Sequence, residues 1–368
     1  MDVRQEKLTK WVAKALNQTS VSLEMVSGDA SFRRYFRVSV EGKTWVAMDA
    51  PPDKEDSSSF VAIAQYWLSQ GVPVPEIHHY DLELGFLLLN DFGDEVLLVS
   101  LFSQVSMAEH KSEIMAEPEA EPNPESGDYY YGLAMHILIE IQAICPDENY
   151  TLPLYDAELL QREMALFPDW LLEKKLGLTL SASERNMLTQ SFNLLAESAL
   201  AQPQVPVHRD YHARNLMILK DDSLGVIDFQ DAVFGPVTYD LVSLLRDCYI
   251  VWPDEKVEQW CQQYYALLQA QCEEQGELNY DGTQFKAWFD LMGLQRHLKA
   301  AGIFARLSLR DGKHGYLDDI PRTVDYLARV SQALPALKAF HSFLVFKVQP
   351  MIAKKLLPNT VLRDGADA

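Results

Sequence analysis

Residues 207–231 decide the fold of this chain, and their sequence is VHRDYHARNLMILKDDSLGVIDFQD. The apolar run LMIL, the polar turn after it and the run VID predict a short β-hairpin that ends at Asp228. Such a hairpin places Asn215, at the start of its first strand, beside Asp228, at the end of its second. Asp210 lies five positions before Asn215. The pattern therefore predicts that two carboxylates and one amide meet at one spot.

These side chains suit phosphoryl transfer from ATP. His208-Arg209-Asp210 followed by Asn215 has the H-R-D-x-x-x-x-N spacing of kinase catalytic loops. Mg²⁺ prefers hard oxygen ligands, which Asn215 and Asp228 supply. An acceptor hydroxyl needs a carboxylate that orients it and takes its proton, a role that suits Asp210. Each aspartate taken alone is better explained as a cap or turn residue, whereas the ordered set predicts a phosphotransferase that uses ATP and Mg²⁺.

The residues ahead of this motif predict a small antiparallel sheet. Residues 8–16 carry apolar side chains at helical spacing and predict a first helix. The segments VSLEMV, FRRYFRVSV and TWVAMDA, between residues 21 and 50, are short, rich in β-branched and aromatic residues and separated by turns. Two more strands, around residues 76–81 and 85–90, complete a five-stranded sheet with one inserted helix at residues 57–70.

Composition then divides the chain into two lobes. We predict an α+β fold with a nucleotide-binding lobe at residues 1–93 and a larger, mainly helical catalytic and substrate lobe at residues 94–357. Residues 105–128 contain seven acidic residues, one lysine and three prolines, so we expect a solvated, poorly ordered insertion there. Residues 358–368 are expected to form a loose tail.

The charge balance limits the possible partners. The 368-residue chain has 53 acidic and 32 basic side chains and a formal net charge of −21. Such a chain can hardly assemble the basic face that duplex nucleic acid or an anionic membrane requires, so we expect a small-molecule partner. Four cysteines without paired spacing, the lack of an apolar run of membrane length and a charged, amphipathic N-terminus predict a cytoplasmic protein.

The sheet-plus-helix first lobe, HRDYHARN, the VIDF strand and GPVTYDL together resemble the aminoglycoside phosphotransferase family, the small-molecule branch of the protein-kinase-like fold. Further blocks are similar to the sugar kinases of peptidoglycan recycling within that family: SGDASFRRYFRV (27–38), MDAPPDKED (48–56), VPVPEIHHYDLELGFLLLNDFGD (72–94), REMALFPDWLL (162–172) and LQRHLKAAGIFARLSLRDGKHGYLDDIPRT (294–323). The resemblance implies transfer of the γ-phosphoryl group of ATP to the anomeric hydroxyl of N-acetylmuramate or N-acetylglucosamine.

The resemblance also implies a nucleotide site, of which one part is missing. The loop over the phosphates corresponds to Ser27, Gly28, Ala30 and Ser31, and the adenine hinge to Leu88 and Asn90. Protein kinases place a lysine on the third strand and pair it with a glutamate on the next helix. Here Asp49 occupies that slot, and residues 57–70 contain no glutamate. The candidates for neutralising the phosphates are Arg33, Arg34 and Lys54.

Sugar recognition is expected chiefly from the C-terminal lobe, where hydrogen-bond donors concentrate in an otherwise acidic chain. The candidate substrate-binding residues are Arg209, His212, Trp170, Arg296, His297 and Arg306. Arginine offers a bidentate fork for the lactyl carboxylate of N-acetylmuramate, and Trp170 offers an apolar face to the sugar or to the core. His208 and Asp240 are expected to be structural, with Asp240 either capping the helix that follows it or bracing the catalytic loop.

Two rival functions stay open at this point. A kinase of another small hydroxyl compound, such as an aminoglycoside or an amino alcohol, would share the catalytic residues. A polycationic aminoglycoside requires an acidic site, however, and residues 294–314 are mainly basic. A nucleotide-binding regulator without turnover would explain the missing strand lysine, but it would not explain the intact Asp210, Asn215 and Asp228.

Overall fold

The computed structural model describes residues 2–28, 32–102, 122–146, 150–273 and 278–357. The chain forms two compact units, each made of two stretches: Met1–Leu152 with His208–Ala232, and Pro153–Val207 with Val233–Ala368. The predicted first lobe lies within the first unit, which also takes in the catalytic motif from His208 onward. Outside the described residues lie Ala30, Ser31, residues 105–121 of the predicted insertion and the predicted tail.

The strands are β1 (Glu24–Gly28), β2 (Arg34–Val40), β3 (Lys43–Asp49), β4 (Ile77–Asp81), β5 (Phe86–Asn90), β6 (Gln204–Val207), β7 (Leu216–Ile218), β8 (Leu224–Val226) and β9 (Val233–Pro236). The helices are α1 (Val3–Ala15), α2 (Ser58–Ser69), α3 (Leu97–Phe102), α4 (Pro124–Ala143), α5 (Ala157–Leu166), α6 (Ala182–Leu200), α7 (Tyr239–Leu245), α8 (Asp254–Glu273), α9 (Gly282–Arg310), α10 (Ile320–Gln332), α11 (Lys338–Phe343) and α12 (Gln349–Leu356). A π-helical segment, Phe167–Lys175, continues α5. Within the described ranges, no helix is long and apolar enough to cross a membrane.

In the first unit, β1 to β5 form an antiparallel sheet in the order β1-β2-β3-β5-β4. The turn between β2 and β3 consists of Glu41 and Gly42, whose φ angles of 51° and 78° are those that a type I′ hairpin turn requires. The strands lie where the sequence predicted them. The predicted α+β class, with a five-stranded antiparallel sheet and a mainly helical remainder, is therefore confirmed.

One face of this sheet is covered by α1. The buried cluster between them consists of Leu8, Val12, Phe36, Val38, Ala47, Phe86 and Leu88. Side chains alternate along a strand, so Tyr35, Arg37 and Val46 belong to the opposite face. The sheet therefore has a closed face against α1 and a second face that is available to build a site.

Residues 124–128 of the predicted acidic insertion are helical. Asn123 caps α4 by accepting hydrogen bonds from the backbone N–H groups of Glu125 at 3.0 Å and Ser126 at 3.3 Å. Pro124 fits the first helical position, because the N–H that it lacks would have no partner inside the helix. The prediction of a loose segment was therefore wrong for residues 124–128, where the acidic composition obscured a capped helix start.

The second unit is built around α9, which packs against α5, α6, α7, α10 and the π-helical segment. Gly302 permits close packing, because a Cβ atom there would lie 2.4 Å from the backbone carbon of Leu166. The interior also contains a buried ion pair, in which Lys299 Nζ lies 3.3 Å from Glu163 Oε1. Lys299 also donates a hydrogen bond to the Tyr239 hydroxyl at 2.9 Å. These contacts join α5, α7 and α9 through satisfied polar groups.

Candidate nucleotide and phosphoryl-transfer site

His208 joins the catalytic loop to the hairpin. Its imidazole is fully buried, with Nε2 2.9 Å from the carbonyl oxygen of Ile227 and Nδ1 3.3 Å from the backbone nitrogen of Asp210. A carbonyl only accepts and a backbone N–H only donates, so the ring proton lies on Nε2. His208 therefore ties the loop that carries Asp210 to the strand that leads to Asp228.

Asn215 and Asp228 are brought together at the base of the β7–β8 hairpin. The backbone N–H of Ile227 donates to the carbonyl oxygen of Asn215 at 3.1 Å. The side-chain nitrogen of Asn215 donates to the carbonyl oxygen of Asp210 at 3.0 Å, which leaves the amide oxygen for another partner. Gln230 Nε2 donates to Asp228 Oδ1 at 2.8 Å. Backbone and amide contacts thus assemble the three residues that the motif predicted.

Asp228 and the residue before Asp210 have backbone conformations that side chains other than glycine seldom adopt. The φ angle is 76° at Arg209 and 66° at Asp228. Such conformations cost about 1–3 kcal/mol each and persist where the surrounding structure enforces them, often at functional sites. The positions of Asp210 and Asp228 are therefore maintained against local backbone preference.

Arg209 and His212, both predicted to contact the acceptor, flank Asp210 on the catalytic loop. Arg209 Nη1 donates to the carbonyl oxygen of Asp231 at 3.2 Å. The carbonyl oxygen of His212 accepts from the backbone N–H of Asn215 at 2.8 Å. Arg209 is thus attached to the chain that follows β8, and His212 to the residue before β7, and their contact with an acceptor stays a prediction.

A cavity of about 450 Å³ lies in the first unit beside the hairpin. Asn215 and Asp228 line it, and Val46, Leu89 and Ile227 contribute apolar walls. A largely apolar pocket with a few converging polar groups is the usual form of a cofactor or small-molecule site. Its volume suits a ligand of nucleotide size.

Part of the predicted adenine hinge lines this cavity. Leu89, Asn90 and Asp91 line the cavity. The Leu88 side chain lies in the core cluster under α1, because it belongs to the opposite face of β5, so its predicted nucleotide contact can come only from its backbone groups and stays a prediction. Leu89 is therefore the hinge side chain on the cavity side.

Arg37 also lines the cavity and was not predicted from the sequence. Its Nε lies 2.7 Å from Asp91 Oδ2, and its Nη2 lies 2.8 Å from Asp94 Oδ1. Burial alone would raise the pKa of the Asp91 carboxyl, but hydrogen bonds from Arg37 and from the Gly93 N–H outweigh it and lower that pKa. Strand alternation could have identified Arg37 from the sequence, because it places Arg37 on the same face of β2 as Tyr35.

Asp49, in the slot of the missing lysine, belongs to the face of the sheet that α1 covers. Its carboxylate is fully buried, with Oδ1 2.6 Å from Arg4 Nε and Oδ2 2.5 Å from Arg34 Nη2. Arg34 also pairs with Asp2. Because side chains alternate along β3, the neighbouring residue Met48 belongs to the opposite face of the sheet. Arg34, predicted to neutralise the phosphates, therefore serves to hold α1 on the sheet.

The other two candidate cations differ in position. The Lys54 side chain is 51% exposed and lies 3.7 Å from Asp53. Arg33 is only 8% exposed, and its Nη2 lies 3.8 Å from Asp228 Oδ1. Of the three predicted cations, Arg33 is thus the one whose guanidinium approaches the catalytic motif.

In the second unit, His297 is packed as a core residue. Its Nδ1 lies 2.7 Å from the carbonyl oxygen of Gly293, and its ring stacks on Tyr326 with centroids 4.0 Å apart. Burial lowers the pKa of His297 to about 3, so the ring is neutral. The cavity that it lines has a volume of only about 40 Å³, enough for water but not for a sugar. The prediction that His297 binds substrate is not supported by this geometry, and its neighbour Arg296 is buried as well.

Arg306 and Trp170 are less buried. Burial lowers the pKa of Arg306, and its Nε has no hydrogen-bond partner within the part of the chain that the structure describes. Trp170 lies in the π-helical segment, and the Lys174 ammonium sits 3.6 Å from the centroid of its ring. One face of the Trp170 ring is therefore covered by a cation, whereas Arg306 has a buried Nε donor that is unsatisfied within the described residues.

Asp240 does not occupy the N-cap of α7, which is Thr238, so of its two predicted roles capping was wrong and bracing of the catalytic loop stays a prediction. It is fully buried inside the first turn of the helix, which begins at Tyr239. A carboxylate is favourable there because it lies near the positive end of the helix dipole. The preceding Thr238 is held by Gln202, whose Oε1 accepts from the Thr238 backbone N–H at 3.2 Å and from its hydroxyl at 2.8 Å.

The geometry can be compared with known proteins. The model of the phosphotransferase enzyme family, APH, matches residues 22–278. The chain belongs to this family. It is 41% identical over 346 residues to the N-acetylmuramate/N-acetylglucosamine kinase of Pseudomonas putida, a match that covers 91% of this chain and 94% of that protein. The kinase of the same name from Neisseria meningitidis is 39% identical over 343 residues, covering 93% and 95%. The predicted assignment as an ATP-dependent phosphotransferase is confirmed.

Solved structures show the same architecture at low sequence identity. The choline kinase of Streptococcus pneumoniae has a TM-score of 0.57 at 12% identity, covering 88% of this chain and 99% of that one. The ADP-bound aminoglycoside phosphotransferase APH(2'')-Ib has a TM-score of 0.56 at 13% identity, covering 90% and 99%. These likenesses concern the fold alone, and they confirm the predicted protein-kinase-like fold.

Proposed function

We propose that this phosphotransferase moves the γ-phosphoryl group of ATP to the anomeric hydroxyl of N-acetylmuramate or N-acetylglucosamine, giving the sugar 1-phosphate in peptidoglycan recycling. The observation that supports this best is the identity of 39% and 41%, over at least 91% of the chain, to kinases named for these two sugars. We place the reaction in the cytoplasm, the compartment that supplies ATP and keeps thiols reduced, in keeping with free Cys145, Cys248 and Cys261.

Asn215 and Asp228 fit a magnesium ion. Both line the cavity of the first unit, and an amide oxygen and a carboxylate are hard donors of the kind that Mg²⁺ prefers. The Asn215 nitrogen already donates to the Asp210 carbonyl oxygen, so the amide oxygen is the atom left for a metal. Bound there, Mg²⁺ supplies positive charge that neutralises the phosphate oxygens of ATP.

Asp210 is the residue that we assign to the acceptor. The Asp210 carboxylate accepts a hydrogen bond from the sugar hydroxyl and takes its proton as the bond from oxygen to the γ-phosphorus forms. The bond from that phosphorus to the bridging oxygen breaks, and ADP leaves with the electron pair. The residues proposed to contact the nucleotide are Ser27, Gly28, Ala30, Ser31 and Asn90, together with the Leu88 backbone.

Arg306 is the residue that we assign to the lactyl carboxylate of N-acetylmuramate. Replacing Arg306 with methionine is expected to raise KM for N-acetylmuramate by about 10-fold or more, because a charge-assisted hydrogen bond is lost. KM for N-acetylglucosamine is expected to stay the same, because that sugar has no lactyl carboxylate. Steady-state kinetics with each sugar at saturating ATP measure both values.

Arg310 provides a matched control on the same helix. It is exposed and bonds Asp311 at 2.7 and 2.8 Å, so Arg310→Met makes the same change of side chain and charge one helical turn from the assigned contact, at an exposed site. It is expected to leave KM for both sugars unchanged. Equal KM increases for the two sugars in Arg306→Met would contradict the assignment.

The proposed substrate class is tested by ATP consumption with a panel of acceptors. The panel consists of N-acetylmuramate, N-acetylglucosamine, choline and an aminoglycoside. We expect turnover with one or both N-acetylated sugars and none with the two cationic compounds. Turnover of choline or the aminoglycoside alone would replace the proposed function by that of the corresponding kinase. ATP binding without turnover of any acceptor would favour a regulator.

A further inference from the structure

The nucleotide site lacks the strand lysine with which protein kinases hold the phosphates. We propose that Arg33 takes over this role, its guanidinium contacting the phosphates of the bound nucleotide beside Asp228. The proposal rests on the proposed function in one respect, that ATP occupies the cavity of the first unit. It requires no particular acceptor.

Strand register places Arg33 on the cavity side of the sheet. Tyr35 and Arg37 of β2 line the cavity, whereas Arg34 pairs with Asp49 on the side that α1 covers. Arg33 directly precedes β2, and side chains alternate along an extended chain. Arg33 therefore shares the side of Tyr35 and Arg37.

The surroundings of Arg33 are those of a ligand-binding cation. The residue is 8% exposed, and its Nη2 lies 3.8 Å from Asp228 Oδ1. Asp228 is the carboxylate proposed to hold the metal, so phosphates bound to that metal must lie within a few ångströms of the same guanidinium. Arginine presents planar, paired donors that match phosphate oxygens. A guanidinium at this position can therefore bind the nucleotide and remain beside the metal ligand.

The other cations of this unit are less suited to the role. Arg37 is held by Asp91 and Asp94 at 2.7 and 2.8 Å. Lys54 is half exposed. Arg214 lines the cavity as well, but it is exposed to solvent, whereas Arg33 is desolvated beside Asp228. Burial strengthens the attraction between a cation and a phosphate, which favours Arg33.

Titration with adenosine, ADP and ATP in the presence of Mg²⁺ tests the proposal without any acceptor. Arg33→Met is expected to weaken ADP and ATP binding by roughly 10- to 100-fold, the loss typical of a charge-assisted contact, and to leave adenosine binding unchanged. Arg33→Lys, which keeps the charge but not the fork, is expected to recover part of the loss. Arg162→Met, at an exposed arginine of α5 that does not line the cavity, is the matched control, and it should bind all three ligands like the parent.

Three outcomes would overturn the assignment to Arg33. The first is an Arg33→Met variant that binds ATP as tightly as the parent. The second is an equal loss for adenosine and ATP, which would mean that Arg33 only supports the fold. The third is a phosphate-dependent loss in Arg214→Met but not in Arg33→Met. Failure of the parent to phosphorylate an amino sugar would instead refute the proposed function and leave the titration result standing.

Discussion

Replacing Asp210 with asparagine is expected to lower kcat by about 10²- to 10⁴-fold, the usual contribution of a general base. ATP affinity is expected to stay unchanged. The hydrogen bonds that the Asp210 backbone N–H and carbonyl groups make to His208 and Asn215 are retained in asparagine. An amide cannot take the proton of the acceptor hydroxyl. Release of ADP in the presence of N-acetylmuramate measures kcat, and nucleotide titration measures affinity.

Asp221 provides the control for this substitution. It lies on the exposed turn of the same hairpin and accepts a hydrogen bond from Ser223 at 2.6 Å. Asp221→Asn makes the same chemical change away from the cavity, so parental kcat is expected. An Asp210→Asn variant as active as the parent would remove Asp210 from the mechanism. A variant that had also lost ATP binding would show that the substitution disturbs the whole site.

Replacing Asp49 with asparagine is expected to lower the free energy of unfolding by about 1.5–3 kcal/mol, the usual effect of losing a hydrogen bond to a charged group. The Asp49 carboxylate is fully buried between Arg4 and Arg34, at 2.6 and 2.5 Å. Removing its charge leaves two guanidinium groups without their shared counter-charge under α1. Urea unfolding followed by tryptophan fluorescence measures the change, because Trp11 and Trp45 pack against the core cluster of this unit.

Asp94 offers a comparison within the same unit. It also pairs with an arginine, Arg37, but its side chain is 76% exposed. Exposed ion pairs contribute about 0–1 kcal/mol, so Asp94→Asn is expected to have a small effect. If Asp49→Asn and Asp94→Asn destabilised the protein equally, Asp49 would not be the buried anchor of α1.

Local patterns allowed much of the first unit to be predicted. Residues 207–231 contain the pattern of two short strands joined by a turn. Because Asn215 precedes the first strand and Asp228 follows the second, the spacing alone predicts that the hairpin brings them together. The sheet followed from alternating apolar residues and turn signals in the same way. A capped helix begins at Pro124 within acidic sequence, and there the composition predicted the wrong structure.

Roles that depend on distant contacts were not available from the sequence. Arg33 and Arg34 are adjacent and chemically identical, and only the face on which α1 packs assigns one to Asp49 and the other to the neighbourhood of Asp228. His297 and Arg306 are nine positions apart on α9. At about 100° per residue, this spacing puts them on opposite sides of the helix, so neighbouring candidates in sequence need not share a site.

The central claim, that the anomeric hydroxyl of an N-acetylated amino sugar is the acceptor, is tested most directly by NMR of the product formed from ATP and N-acetylmuramate. The predicted result is a sugar phosphate whose phosphorus couples to the anomeric proton, which places the new bond at C1. A phosphorus coupled to the protons at C6 would contradict the claim, as would the absence of any phosphorylated sugar.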